Sequence, residues 1–154
     1  MVNTKSSLSK SKVELKNYIE VNGIKYYVDN RSVIFEPTKK EVAIAMWLSK
    51  KLTKKIEILP RIKQPEGIKT SDYIIANENW DLKSVSSNRN DAIRNIIKNH
   101  ERQASNFVID ISNSKLTIKA TLKQINNLFD RKGFNWFKKA IIKKNDIMEF
   151  VNRK

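Results

Sequence analysis

The chain has no cysteine and a single histidine, His100. The first absence excludes disulfides and thiolate metal sites, and it removes redox chemistry as a guide to compartment. The second excludes a zinc site built from several histidines. Any catalysis must therefore use carboxylates, lysine, arginine, hydroxyls, amides and one imidazole. Long apolar runs are missing too: the stretch from Val42 to Leu48 is far too short to cross a bilayer. The start of the chain (Lys5, Ser6, Ser7, Ser9, Lys10, Ser11, Lys12) is basic and serine-rich with no apolar segment behind it. That pattern is not a secretory signal. Residues 1–20 read as a basic linker or N-terminal extension, and 21–154 as the domain. Acid is outnumbered by base: 16 Asp and Glu stand against 31 Lys and Arg, a formal charge of +15 over 154 residues. Such an imbalance does not specify a fold, but it predicts fast, salt-sensitive attraction to polyanions. Nucleic acid and anionic membrane surfaces both fit the charge. The reading takes nucleic acid as the partner and no membrane.

What is present is enough for a globular core, since 40% of residues are hydrophobic. Gly23 to Val28 and Ser32 to Glu36 are β-rich, and Asp29-Asn30-Arg31 between them predicts an N-terminal hairpin. Pro37-Thr38 opens a helix with Val42, Ala45, Met46, Leu48 and Leu52 on its apolar face. Ile56 to Leu59 is a short strand closed by Pro60, and 61–69 is a loop containing Pro65 and Gly67. Two strands follow, joined by Asn77-Glu78-Asn79, with Asp72 starting the first. Asn90 or Asp91 caps a helix bearing Ile93, Ile96 and Ile97. Asn106 to Ile111 is an apolar strand, and Leu116 to Phe129 an amphipathic helix. Lys138 to Lys143 and Ile147 to Val151 form a hairpin about Asn145-Asp146. The expectation is a single α+β domain: a twisted, mainly antiparallel sheet with helices packed on it.

The densest chemistry lies between Asp72 and Ser84. A strand's period of two puts Asp81 and Lys83 on one face, with Leu82 pointing the other way into a core. A carboxylate beside an ammonium, with a second carboxylate across the hairpin, suits work on phosphodiesters. Two functional readings of Asp72, Asp81 and Lys83 stay open. In one, the spacing matches PD-(D/E)xK-type nucleases: Asp72 and Asp81 hold a divalent cation such as Mg²⁺, and Lys83 stabilises the attacking water or the phosphate. In the other, Lys83 and nearby polar groups bind the phosphate directly, no metal is needed, and RNA is cut by its own 2′-hydroxyl with acid–base help. The plain alternative is a strand ion pair, which contributes little.

A second group, His100-Glu101-Arg102-Gln103 with Asn106, lies between the middle helix and the apolar strand. His100 is a natural proton shuttle. Arg102 can fork onto a phosphate, and Gln103 offers a donor and an acceptor to a base or ribose. A polar helix end is also ordinary, and a histidine there can simply suit the dipole. The loop from Arg61 leads into Asp72, so Arg61 and Thr70 are candidate substrate contacts, with Ser84 at the far end of the second strand. Lys63 reads as solvated. Trp47, Trp80 and Trp136 read as core or partner-facing. Asp110, in an apolar strand, needs a partner if buried, and either a structural or a site role is open to it.

Leu59-Pro60-Arg61, Thr70-Ser71-Asp72, Trp80-Asp81-Leu82-Lys83, and Gln103-Ala104 followed by Val108-Ile109-Asp110 together resemble a known group. Over about 37–151 the chain is similar to the C-terminal ribonuclease domains of bacterial polymorphic toxins, including tRNA-cleaving domains of contact-dependent inhibition proteins. Related domains are fused to phage head proteins. Ser71 stands where that group usually has proline, and Ala76 to Asn79 lacks the usual turn glycine. The resemblance implies a fold of the barnase/EndoU/colicin/RelE class and metal-independent RNA cleavage, so no cofactor. It implies that Asp72, Asp81, Lys83 and Gln103 line the cleft, with Arg61, Thr70 and His100 as further candidates. It also implies a cognate immunity protein, tRNA as substrate, elongation factor Tu as a helper, and action in a bacterial cytoplasm. Opening at Met1 without delivery domains, the chain reads as an orphan cassette, a phage cargo protein or an excised domain. The main rival outside catalysis is a basic nucleic-acid-binding protein.

Overall fold

The structure is a computed structural model and describes residues 12–101 and 103–154. The chain divides into two compact units, the first running to Asn79 and the second from Trp80 to Lys154.

In the first unit, β1 (Val13–Leu15) pairs in parallel with β5 (Ile56–Ile58), and β5 pairs antiparallel with β7 (Tyr73–Ile75). The helix α1 (Lys39–Leu52) begins where the sequence places it, because Thr38 caps it: its hydroxyl accepts from the Glu41 amide at 3.1 Å. Ile44, Ala45 and Leu48 are buried, whereas Met46 is 49% exposed, so the inward stripe sits slightly off the expected face. The expected hairpin between Gly23–Val28 and Ser32–Glu36 is replaced by two other pairings. β2 (Tyr18–Val21) pairs with β3 (Ile24–Tyr27), and β4 (Val33–Ile34) pairs with β6 (Arg61–Ile62). Asn22 and Gly23, both at positive φ, make the turn that joins β2 to β3. The Asp29 turn is real: its carboxylate accepts from the amides of Arg31, Ser32 and Val33. Those amides hold the Asp29 carboxyl below the usual carboxylate range, Val33 contributing most.

β7 leads into β8 (Glu78–Ser84) through Ala76 and Asn77, at φ 51° and 65°. The reversal therefore falls one residue earlier than the expected Asn77-Glu78-Asn79. Positive φ is tolerable for Asn and strained for Ala.

The second unit alternates strand and helix. β8 runs parallel to β9 (Asn106–Asp110), β9 parallel to β10 (Lys139–Lys144), and β10 antiparallel to β11 (Ile147–Asn152). Parallel neighbours need a crossover, and the chain supplies α2 (Ala92–Ile97) before β9 and α3 (Ile118–Phe129) before β10. Thr117 caps α3 by accepting from the Ala120 amide at 3.0 Å. Ile93, Ile97, Phe107, Ile109, Ile125, Leu128, Phe137 and Ile142 form one buried cluster, with Trp136 packed against it. Trp80 is buried as well. The α+β class holds, with parallel ladders beside the antiparallel ones. The Ser-rich start expected as a linker lies outside the described residues up to Ser11.

Candidate functional site

β8 sets the geometry of the site. Its alternation places the Asp81 and Lys83 side chains together, and the Lys83 ammonium lies 2.9 Å from Asp81 Oδ2. Asp81 is only 2% exposed, and Trp80 only 3%. Leu82 is half-buried, so Trp80 rather than Leu82 anchors the opposite face of the strand. Asp81 Oδ2 has no aligned hydrogen-bond partner despite the short separation, so its link to Lys83 is charge proximity more than a directed bond.

The other half of the cluster arrives from the segment after α2. Asn99 at φ 71° reverses the chain, and two successive turns follow: the His100 amide donates to the Ile97 carbonyl, and the Gln103 amide to the His100 carbonyl. Together they bring His100 and Gln103 to Lys83. Its Nζ lies 3.3 Å from His100 Nδ1 and donates to Gln103 Oε1 at 3.3 Å. His100 Nδ1 and Gln103 Oε1 are also in contact with each other. An ammonium has three protons and no lone pair. Its bond to Nδ1 requires a bare Nδ1 and puts the ring proton on Nε2. A bond from His100 to Gln103 Oε1 requires the opposite tautomer. The two arrangements exclude each other, so this amide, this amine and the ring proton are coupled.

The other expected contacts are dispersed. Asp72 does not start a strand. It is half-buried just before β7, and its carbonyl accepts from the Leu59 amide at 3.0 Å. Thr70 is half-buried in the same segment. Arg61 sits in β6 rather than in a loop, and its guanidinium is bonded to the buried carboxylate of Glu41. That bond gives Arg61 a structural role the sequence did not suggest. Ser84 is exposed at the end of β8. Asn106 is 5% exposed at the start of β9, between β8 and β10, and its burial disfavours direct substrate contact. Arg102 lies outside the described residues. Asp110 is buried and accepts from the Ser112 amide at 3.0 Å, so the partner it needs is found in a turn. Among the described residues, no group of three or more His, Asp or Glu gathers to hold a metal.

Residues 69–147, half of the chain, match the model of the contact-dependent growth inhibition CdiA C-terminal domain. The chain belongs to that family. The matched span of this CdiA C-terminal domain carries Asp81, Lys83, His100 and Gln103, along with Asp72, while Arg61 falls before it. The domain is thus of a bacterial toxin family. One chain of the solved CdiA-CT/CdiI toxin and immunity complex from Burkholderia pseudomallei shares the fold. It matches with a TM-score of 0.62 at 20% identity, covering 92% of this chain and 98% of that one. No curated protein matches the chain. No helix among the described residues is long and apolar enough to cross a membrane.

Every member of the Lys83 cluster was legible as a candidate. What the sequence did not show is that one ammonium gathers groups 17 and 20 residues further along the chain. Glu41 was missed as the partner of Arg61. Its only signal was the Thr38–Glu41 spacing, which reads as a capping box.

Proposed function

We propose that this domain is a nuclease toxin that cleaves RNA, tRNA foremost, at a phosphodiester seated against Lys83. The observation that carries the reading is the Lys83 ammonium, 15% exposed, gathered among Asp81, His100 and Gln103 within a strongly basic chain. During attack by a ribose 2′-hydroxyl, negative charge grows on the non-bridging phosphate oxygens, where a positioned cation lowers the barrier. Lys83 is that cation, and Asp81 holds it in place. His100 donates a proton to the departing 5′-oxygen, and Gln103 fixes the orientation of its ring. Asp81 supplies the carboxylate that orients the charge or accepts the 2′-hydroxyl proton. Arg61, Thr70, Ser84 and Arg102 are candidates for backbone contacts.

Resemblance extends this to elongation factor Tu as a helper. The family, and the fold shared with a chain of a toxin and immunity complex, support a cognate immunity protein and action in the cytoplasm of a neighbouring cell.

A second reading is favoured by the Asp81 oxygen that lacks an aligned donor. A buried carboxylate of that kind suits a hard cation, and Asp81 would be its ligand. Bound there, Mg²⁺ would supply charge stabilisation and an activated water for cutting DNA.

Incubation of the protein with total bacterial tRNA, elongation factor Tu and GTP, with and without EDTA, tests both. Discrete fragments that survive EDTA and vanish with Lys83→Ala support the metal-independent ribonuclease. Fragments or DNA cleavage that require Mg²⁺ support the second reading. Tight, salt-dependent binding without turnover leaves a basic binding protein.

A further inference from the structure

A cavity of about 170 Å³ opens between α2 and α3, lined by Asn90, Asp91, Arg94, Asn127 and Arg131 together with Gln124 and Leu128. Several observations make it more than a surface dent. Its rim is held by one amide: Gln124 Oε1 accepts from the Ile93 amide at 3.0 Å, and its Nε2 donates to the Arg89 carbonyl at 2.8 Å. The segment that carries Asn90, Asp91 and Arg94 is therefore pinned to α3. Asp91, the only acid on the lining, has Oδ1 3.4 Å from Arg89 Nε, an ion pair without a hydrogen bond.

The guanidiniums are the informative part. Arg94 is half-buried, and its Nε is buried without a hydrogen-bond partner. Among the described residues, neither the Arg94 nor the Arg131 side chain makes a hydrogen bond or an ion pair. A desolvated donor left unmatched is costly, so a group that accepts from it is favoured. Two planar forks facing one hollow match the oxygens of a phosphate. Asn90 and Asn127 add amides that suit a ribose or base edge. The void is many times what one water needs.

We infer that this cavity is a backbone-phosphate subsite for nucleic acid, separate from the Lys83 cluster, with Arg94 and Arg131 as its anion-binding groups. The inference rests on the nuclease reading for its ligand, and it adds a second anchor that fixes the register of the strand at Lys83. Arg94 and Arg131 are positioning residues.

Two arms test it. In the first, inorganic phosphate is titrated into the full chain while the Nε–Hε resonances of its arginines are followed by NMR. Saturable shifts confined to Arg94 and Arg131 are expected, and silence at both overturns the inference. In the second, tRNA binding is measured in EDTA in the cleavage-dead Asp81→Asn/Lys83→Ala background. Arg94→Gln/Arg131→Gln should weaken binding at least tenfold and flatten the salt dependence by about two ions. Lys119→Gln/Lys123→Gln, which removes the same charge from exposed positions of α3, should weaken it no more than about threefold. Arg94→Lys/Arg131→Lys keeps the charge and loses the fork, so it should recover only part of the affinity; melting temperatures confirm that each variant is folded. If the arginine pair behaves like the lysine pair, the inference fails, and a carboxylate of a protein partner becomes the better occupant. Phosphate binding at Arg94 and Arg131 combined with unchanged tRNA affinity assigns the cavity to a free phosphate and also overturns it. Arginine-dependent tRNA binding by a protein that cuts nothing leaves the inference standing and sinks the proposed activity instead.

Discussion

The two units use their charged side chains differently. In the first, they close on one another. Arg61 satisfies buried Glu41, Lys16 pairs with Glu57 at 2.9 Å, and Asp29 is taken up by three amides of its own turn. Glu57 holds the Lys16 amine above its usual range, mainly through that hydrogen bond. In the second unit, Arg153 and Asp110 close in the same way, but two groups do not. Lys83 gathers Asp81, His100 and Gln103, of which the carboxylate and the imidazole can themselves handle protons, and Arg94 keeps an unmatched donor. A charge of +15 says only that polyanions are attracted. Under the proposed function, it is the Lys83 cluster and the Arg94 cavity that would hold one.

The largest test of this contrast is Lys83→Ala. Cleavage should fall by at least 10²-fold, the scale for losing one stabilising donor. Stability should also drop, by up to about 3–5 kcal/mol, because Asp81 is left as a buried, uncompensated charge. Asp81→Asn/Lys83→Ala should restore most of that stability and none of the activity. A folded, fully active Lys83→Ala protein would remove the cluster from catalysis.

Next come the cores. Leu48→Ala in the first unit and Phe107→Ala in the second delete side chains with 0% exposure. Urea denaturation should show losses of about 2–5 and 3–5 kcal/mol respectively. A loss under about 1 kcal/mol would contradict the packing at that site. Hydrogen exchange on the two variants would show which unit loses protection.

Arg61→Ala should be milder, about 1 kcal/mol, since Glu41 loses its partner but Arg61 is 48% exposed and already screened. An unchanged melting temperature would break the claim that the first unit closes its charges.

The smallest effect belongs to Asp29. Its carboxyl is held low in the folded chain, so its contribution is present above the free carboxylate value near 3.9 and is lost as pH falls through the folded value. The melting difference between wild type and Asp29→Ala should be steady from about pH 7 to 5 and shrink below about pH 4. A difference that grows in acid would reverse the sign of that argument.

The elements legible in the sequence were those with local punctuation. Thr38 and Thr117 cap α1 and α3, and Asn145-Asp146 turns β10 into β11. The β2–β3 hairpin had a comparable signal in Asn22-Gly23, but reading Gly23 as the start of a strand hid it. The β4–β6 pairing joins Ile34 to Arg61 across α1 and β5, and no local pattern encodes such a contact. Parallel ladders were invisible for the same reason. At the site, period two was enough to unite Asp81 with Lys83. The approach of His100 depends on the reversal at Asn99, and the pairing of Arg94 with Arg131 depends on how α2 meets α3.

Arg153 has a consequence for the integrity of the second unit. Its guanidinium bonds the carbonyls of Phe129, Phe134 and Phe137, and its amide bonds the carbonyl of Lys138. One side chain thus fastens the end of α3, the turn behind it and the entry to β10. Arg153→Ala would remove the three side-chain attachments at once and should loosen all three segments together.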